Sequence, residues 1–116
     1  MTEPTGAGDG PVFRALLRFE ITPGSAAEFE RAWLTVGRRI SGHPGNRGQW
    51  LMRSDDEEDV FYVLSDWSDE RRFREFEHSA AHVENRRRLG PFRRGGWMRI
   101  MTVVHTLSAG GSVDAP

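Results

Sequence analysis

The chain of 116 residues is long enough for one domain with a single hydrophobic core. Hydrophobic residues make up 37% and charged residues 28% of the chain, as is typical of a globular protein. There is no cysteine, and all 16 basic residues are arginine, which excludes thiolate chemistry and Schiff-base catalysis by lysine. No apolar run approaches the roughly 20 residues of a membrane helix, and no signal-peptide pattern is present, so we expect a cytoplasmic protein.

Both ends of the chain are predicted to be flexible tails. Residues 1–11 and residues 108–116 are rich in glycine and other small or polar residues, a composition typical of loose termini. The domain is therefore predicted to cover residues 12–107, without an internal repeat or an interdomain linker.

The first half of the domain predicts a strand, a helix and a strand. Alternating residues predict a strand at 12–21, which ends at a Thr-Pro-Gly turn. Ser25 and Glu28 form a capping-box pattern, which predicts the start of a helix. The apolar stripe of this helix consists of Ala26, Phe29, Trp33, Val36 and Ile40. A second strand is predicted at 48–53.

The second half predicts the same order of elements. Residues 59–67 predict a third strand, which an acidic loop joins to the second. Ser68 is placed to cap one helix, which a Gly-Pro pair ends. The apolar stripe of this helix consists of Phe73, Phe76 and Ala80. Residues 96–107 predict the last strand.

The resulting order, βαββαβ, is the α+β ferredoxin-like arrangement with an antiparallel four-stranded sheet. The third and last predicted strands carry apolar residues on both faces. Because two helices cover only one face of such a sheet, the second apolar face needs a partner. The simplest partner is the sheet of an identical chain, so we expect a homodimer.

Charge is distributed unevenly along the domain. Residues 12–70 carry 7 Arg against 11 acidic residues, whereas residues 71–105 carry 9 Arg against 3. The aromatic residues fall at core spacing and not among exposed basic residues, which disfavours a nucleic-acid groove. The pattern favours a small anionic or phenolic ligand, with neither nucleic acid nor membrane as a partner.

Three segments, in this order and with this spacing, resemble the antibiotic biosynthesis monooxygenase family. They are ITPGSAAEFERAW (21–33), SGHPGNRGQWLMRS (41–54) and LSDWSDERRFREFEHSAAH (64–82). They hold a Pro-Gly turn before a helix with Phe and Trp, a His-Pro-Gly turn before the second strand, and a Trp that ends the third strand. The resemblance covers residues 12–107 and implies a dimeric α+β barrel.

The best-understood oxygenases of this family convert phenolic intermediates of aromatic polyketide pathways to quinones without flavin, haem or metal. The resemblance therefore implies a cofactor-independent monooxygenase that acts with O2 on a small aromatic polyketide-like ligand. The deprotonated substrate gives an electron to O2, so the protein supplies an apolar pocket and stabilises the anion. The alternative is a non-oxidative polyketide cyclase, or a dimeric ligand-binding or accessory protein of the same fold.

The resemblance also indicates site residues. Trp67 matches the strand-ending Trp that lines the pocket, and Arg86 or Arg87 matches an Arg that would stabilise a phenolate there. Asn85 is a further polar candidate. The aromatic residues expected around the ligand are Phe29, Trp33, Phe73 and Phe76. The alternative interpretation is a core Trp67 and a solvated Arg run.

Two histidines, His78 and His82, are four residues apart on the predicted helix, with Glu75 one turn earlier. This spacing is compatible with a metal, but no further ligand is evident, so no metal or other cofactor is predicted. Because imidazole titrates near neutrality, a general base for a phenol is the better interpretation of His82. His43 is interpreted as a structural part of its turn.

Two departures from the family pattern bear on the reaction. The polyketide oxygenases carry an Asn four residues before the strand-ending Trp, where this chain has Val63, and this favours the non-oxidative alternative. The haem-degrading branch uses an Asn, a Trp and a His at positions that correspond here to Leu17, Phe76 and Arg86 or its neighbour. Haem degradation is therefore disfavoured.

Overall fold

The computed structural model describes residues 12–107 and 109–110, so most of both predicted tails lies outside the described residues. Within these residues the chain forms four strands, three α-helices and one 3₁₀ turn. In chain order they are β1 (Phe13–Ile21), α1 (Ala26–Ser41), β2 (Asn46–Arg53), β3 (Val60–Trp67), α2 (Glu70–Glu77), α3 (Ala80–Leu89), the 3₁₀ turn (Gly90–Phe92) and β4 (Arg93–Thr102). None of the helices in this range is both long and apolar enough to span a bilayer.

The four strands form one antiparallel sheet in the order β2-β3-β1-β4. On the central strand, Leu17 pairs with Val63 of β3 and with Met98 of β4, so these three side chains share the face that the helices cover. This topology confirms the predicted α+β ferredoxin-like fold. The helices of both halves lie on the same face of the sheet. A cavity can therefore form between the helices and this face.

The first helix begins where predicted, but its capping box does not form. The Ser25 side chain makes no capping bond, and its hydroxyl instead donates to the carbonyl oxygen of Thr22. The turn before the helix, with Gly24 at φ +81°, brings that carbonyl within reach. The helix is held by its apolar face, on which Phe29 and Trp33 are buried.

The second predicted helix is two helices, which is a correction to the sequence-based prediction. Asp69, and not Ser68, caps α2 by accepting from the backbone N–H of Arg72 at 2.8 Å. At the far end, the Ser79 hydroxyl donates to the carbonyl of Phe76 at 2.7 Å and accepts from the backbone N–H of His82 at 3.1 Å. These local bonds compete with helix continuation and start α3 in a new direction.

This break has two consequences for the predictions. Ala80 is exposed as the first residue of α3 and does not belong to the apolar stripe of α2. His78 caps the C-terminal end of α2, whereas His82 lies in α3, so the two histidines do not share the face of one continuous helix.

The last strand runs from Arg93 to Thr102 and not from 96 to 107. Its pairing with β1 explains both ends, because Ile21 at the end of β1 pairs with Arg93 and Phe13 at its start pairs with Thr102. A strand at the edge of a sheet persists only where its neighbour supplies hydrogen-bond partners.

The face of the sheet opposite the helices carries large exposed side chains. Trp50 and Met52 of β2 are 48% and 39% exposed, and Met101 of β4 is 41% exposed. Trp50 pairs with Leu64 and Met52 with Tyr62, so β3 extends the same surface. We call this surface, formed by Trp50, Met52, Tyr62, Leu64 and Met101, the open face. The homodimer through it remains a prediction.

Candidate active site

A cavity of about 280 Å³ lies between the helices and the covered face of the sheet. Its size is just below the range of roughly 300–1,000 Å³ that is usual for small-molecule sites. All three α-helices and all four strands contribute to its lining. Two parts of the lining differ in chemistry and come from different elements.

The first part, which we call the aromatic wall, consists of Trp67, Phe73 and Phe76. Trp67 is fully buried, and its ring stacks on that of Phe76 with a centroid distance of 4.9 Å. The rings of Trp67 and Phe73 meet edge to face at 5.7 Å. This packing follows from the positions of the residues, since Trp67 ends β3 and both phenylalanines lie on the buried face of α2.

The indole N–H of Trp67 already has a protein acceptor. It donates to the hydroxyl oxygen of Ser65 at 3.0 Å, and both residues are buried. Ser65 lies two residues before Trp67 and therefore on the same face of β3, and this spacing in the sequence is the signal for the contact. A ligand oxygen that used this N–H would have to displace the Ser65 hydroxyl.

The His-Pro-Gly turn supports the aromatic wall from outside the cavity. The His43 ring lies 5.4 Å from that of Trp67 and 5.9 Å from that of Phe76, and its Nδ1 accepts from the backbone N–H of Gly45 at 3.0 Å. A Cβ on Gly45 would lie 2.5 Å from the Cβ of Arg72, so only glycine permits this approach of the turn to α2. These contacts agree with the structural interpretation of His43.

The second part of the lining, which we call the polar wall, consists of His82, Asn85 and Arg86 of α3. Their spacing of three and four residues places them on one side of the helix. Asn85 is 1% exposed, and neither its side-chain oxygen nor its nitrogen has a hydrogen-bond partner. The Nδ1 atom of His82 is also buried without a partner.

The environment of His82 favours its uncharged form. Burial lowers the pKa of His82 below its ordinary value, the nearby Arg86 guanidinium lowers it further, and Glu77 acts in the opposite direction. The imidazole ring also packs on Phe76, with a centroid distance of 4.3 Å. At neutral pH the cavity therefore presents a neutral imidazole, the form that can accept a proton.

A further polar group, Gln49 of β2, lines the cavity and was not predicted. Its amide nitrogen donates to the Ser41 hydroxyl at 2.9 Å and to the carbonyl of Gly37, which ties β2 to α1. Its side-chain oxygen is buried without a partner. The alternation of β2 contained the signal, because Gln49 shares the covered face with Leu51, where an apolar residue is usual.

The structure brings together most of the predicted site residues. Seven of them line the cavity: Trp33, Trp67, Phe73, Phe76, His82, Asn85 and Arg86. Phe29 lies outside the lining, in the core between Phe19 and Phe61, with ring distances of 5.4 and 5.0 Å. Arg87 also lies outside it, because its side chain is 77% exposed and pairs with Glu84 at 3.1 Å.

No metal-binding arrangement is found in residues 12–107 and 109–110, where no group of three or more His, Asp or Glu side chains is suitably placed. His78 is exposed at the junction of α2 and α3. The interpretation of His82 thus depends on the cavity and not on its spacing from His78.

Comparison with known proteins identifies the family to which this chain belongs. The family model described as antibiotic biosynthesis monooxygenase matches residues 12–88. The chain belongs to this family. The resemblance in the three sequence segments is therefore confirmed. The match includes the aromatic wall and nearly all of α3, and it ends before β4.

Solved structures of other proteins share the fold of this chain at low sequence identity. SnoaB from Streptomyces nogalater, described as a cofactor-independent oxygenase, superposes with a TM-score of 0.76 at 20% identity, over 84% of this chain and 98% of SnoaB. A protein from Caulobacter crescentus, described as a putative antibiotic biosynthesis monooxygenase, superposes with a TM-score of 0.74 at 22% identity, over 81% of this chain and 91% of its own.

Protein SchA from Streptomyces halstedii is 28% identical to this chain over 92 residues. The match covers 79% of this chain but only 24% of SchA, so the chain spans about a quarter of the length of that relative.

Proposed function

We propose that this member of the antibiotic biosynthesis monooxygenase family is a cofactor-independent monooxygenase that oxidises a phenolic, polyketide-type aromatic compound with O2. The observation that carries the proposal is a single cavity that combines an aromatic wall with an uncharged imidazole, His82, and a guanidinium, Arg86. The description of SnoaB as a cofactor-independent oxygenase of the same fold supports it.

The proposed reaction begins with a proton transfer. His82 accepts a proton from the acidic CH₂ group of an anthrone-type substrate, and Arg86 stabilises the delocalised anion that results. The aromatic wall packs on the ring system of the substrate and keeps water away from the reactive carbon. A protonated His82 beside Arg86 is unfavourable, so the proton is readily returned in a later step.

The remaining steps need only substrate and O2. The anion transfers one electron to O2, and the substrate radical and superoxide then combine to form a C–O bond. The protonated His82 returns its proton to the resulting peroxide. Loss of the second hydrogen as a proton and cleavage of the O–O bond leave a quinone carbonyl and one water molecule. One O2 is consumed for each quinone formed.

The test is an incubation of the purified protein with an anthrone under air. We expect O2 uptake and quinone formation in equal amounts without added flavin, haem or metal. His82→Gln should lower the rate by about 10²–10⁴-fold, the usual contribution of a general base. His78→Gln is the matched control, because His78 is exposed and outside the cavity lining, and it should leave the rate unchanged.

A non-oxidative cyclase is the second candidate, and one observation favours it. Val63 lines the cavity, at 6% exposure, and offers no hydrogen-bond donor where the polyketide oxygenases carry Asn. The same incubation separates the two reactions when it is repeated with an uncyclised polyketide mimic. A new ring without O2 uptake would show that the protein is a cyclase and not an oxygenase. O2 uptake without ring formation would exclude the cyclase.

We propose that the functional form is a homodimer joined through the open face. Three of its side chains, Trp50, Met52 and Met101, are each more than a third exposed, which is unusual for such apolar residues in one surface. Sedimentation velocity at micromolar concentration should show a dimer that Trp50→Arg dissociates. Leu34→Arg, at a similarly exposed position on α1, is the control. A stable wild-type monomer would overturn this assembly.

A further inference from the structure

Among the polar groups of the cavity, Asn85 is the one whose burial is hardest to explain by the fold. It is 1% exposed, and both of its side-chain hydrogen-bonding atoms lack partners. Buried polar groups in folded proteins are nearly always hydrogen-bonded, because removing them from water without a new partner is unfavourable. A residue needed only for packing at this position would be apolar, as Leu89 is one turn later on α3.

The surroundings of Asn85 point to a ligand as its partner. The side chain lines the cavity between His82, one turn earlier, and Arg86, the next residue. The capping bond of Ser79 fixes the direction of α3, and therefore the side of the helix that Asn85 occupies. Across the aromatic wall, the Trp67 N–H is occupied by Ser65, so that group does not compete for the same ligand atoms.

We propose that Asn85 is a specificity-determining residue that recognises a hydroxyl next to a carbonyl on the ligand. The carboxamide nitrogen donates to the carbonyl oxygen, and the carboxamide oxygen accepts from the neighbouring hydroxyl. Both unpartnered atoms are satisfied together only by a ligand that offers a donor and an acceptor side by side. The choice of an aromatic ring system as the carrier of this pair rests on the proposed function.

Two simple compounds isolate the contribution of the hydroxyl group to binding. Dithranol is an anthrone with hydroxyl groups beside its carbonyl, whereas anthrone has the same rings and carbonyl without them. Binding is measured without O2, by quenching of tryptophan fluorescence, so that neither compound is oxidised. For each protein variant we take the dissociation constant of anthrone divided by that of dithranol. Comparing this ratio between variants cancels the difference in hydrophobicity between the two compounds.

For the wild type, we expect dithranol to bind more tightly than anthrone. In Asn85→Leu the ratio of the two dissociation constants should fall about tenfold, the effect of one lost hydrogen bond in a buried site. Arg87→Gln is the matched control on α3, since Arg87 points to solvent, and it should leave the ratio unchanged. An unchanged ratio in Asn85→Leu, or failure of both compounds to bind the wild type, would overturn the inference.

A second variant keeps the test decisive if Asn85→Leu does not fold. At a pH at which the new carboxyl group is ionised, Asn85→Asp preserves the shape and the acceptor oxygen but removes the donor. It should weaken the binding of both compounds, because both carry the carbonyl, while dithranol remains the tighter ligand. Unchanged anthrone affinity in Asn85→Asp would also overturn the inference. These measurements are independent of turnover, so a protein that binds selectively but consumes no O2 would refute the proposed function and leave the role of Asn85 intact.

Discussion

The aromatic wall and the polar wall line the same cavity, but they differ in whether their buried polar atoms have hydrogen-bond partners. In the aromatic wall every interaction is already made, because Trp67 stacks on Phe76 and donates its N–H to Ser65. In the polar wall, atoms of His82 and Asn85 are buried without partners. The first wall therefore contributes mainly to folding stability, whereas the second is arranged for a molecule that the fold itself does not supply.

This difference predicts that substitutions in the two walls have different readouts. Changes in the aromatic wall should appear mainly in the free energy of unfolding, and changes in the polar wall mainly in the reaction rate, the ligand affinity or the pH profile. The following variants test this separation.

The largest expected effect is in the aromatic wall. Phe76 is 7% exposed and contacts the rings of Trp67 and His82, so Phe76→Ala should lower the free energy of unfolding by about 3–5 kcal/mol. Chemical denaturation measures this loss. Val83→Ala on the outer side of α3, where Val83 is 53% exposed, should change it by less than about 0.5 kcal/mol. A small effect of Phe76→Ala would mean that the cavity region is loosely packed.

The next effect is in the polar wall and concerns binding. Arg86→Gln should weaken binding of a phenolate such as alizarin by about 1.5–3 kcal/mol, which is typical of a charge-assisted hydrogen bond. Isothermal titration calorimetry measures the affinity. Arg87→Gln should have no such effect, because that guanidinium lies outside the cavity lining and pairs with Glu84. Equal losses in both variants would show that only the general positive charge of α3 matters.

A somewhat smaller effect is expected at the hydrogen bond inside the aromatic wall. Ser65→Ala leaves the buried N–H of Trp67 without an acceptor and should lower the free energy of unfolding by about 1–3 kcal/mol. When Trp67→Phe is added, the double variant should lose less than the sum of the two single variants. Strict additivity in denaturation experiments would show that this hydrogen bond contributes nothing.

The smallest effect concerns the pH dependence of stability. Because the pKa of His82 is lowered in the folded protein, the unfolded chain binds its proton first as the pH falls below about 6.5. The wild type should therefore lose stability between that pH and the pKa of the folded state, relative to His82→Gln. Thermal unfolding at a series of pH values tests this. Parallel curves for the two proteins would contradict the lowered pKa.

The order of the elements was predictable because the apolar residues of each element recur with the period of a strand or of a helix. The alternation in β1 and the stripe of Phe29 and Trp33 identify strand and helix without knowledge of their neighbours. The break before α3 was missed because it depends on one hydroxyl, that of Ser79, which satisfies backbone groups that a continuous helix would have used itself.

The composition of the site was less predictable than the fold. The apolar stripe of α1 predicts which side of the helix is buried but not which of its residues border a cavity, so it could not show that Phe29 packs between Phe19 and Phe61 instead. In α3 the run of consecutive arginines gives no amphipathic signal, so it could not show that Arg87 faces solvent. Asn85 could be named as a candidate, but its complete burial depends on the path of α3 over the sheet. Gln49 has a signal in the sequence, because it is a polar residue at a covered position of a strand.

The separation of α2 and α3 has a consequence for how such a protein can diversify. Each helix has its own capping residue, Asp69 for α2 and Ser79 for α3, so neither depends on the other for its start. Mutations can therefore accumulate at the cavity-lining positions of α3, and change which molecules are accepted, while buried Leu89 and the stack of Trp67 and Phe76 keep the chain folded. A lineage with this architecture can explore new substrates through one short segment without first acquiring compensating changes in its core.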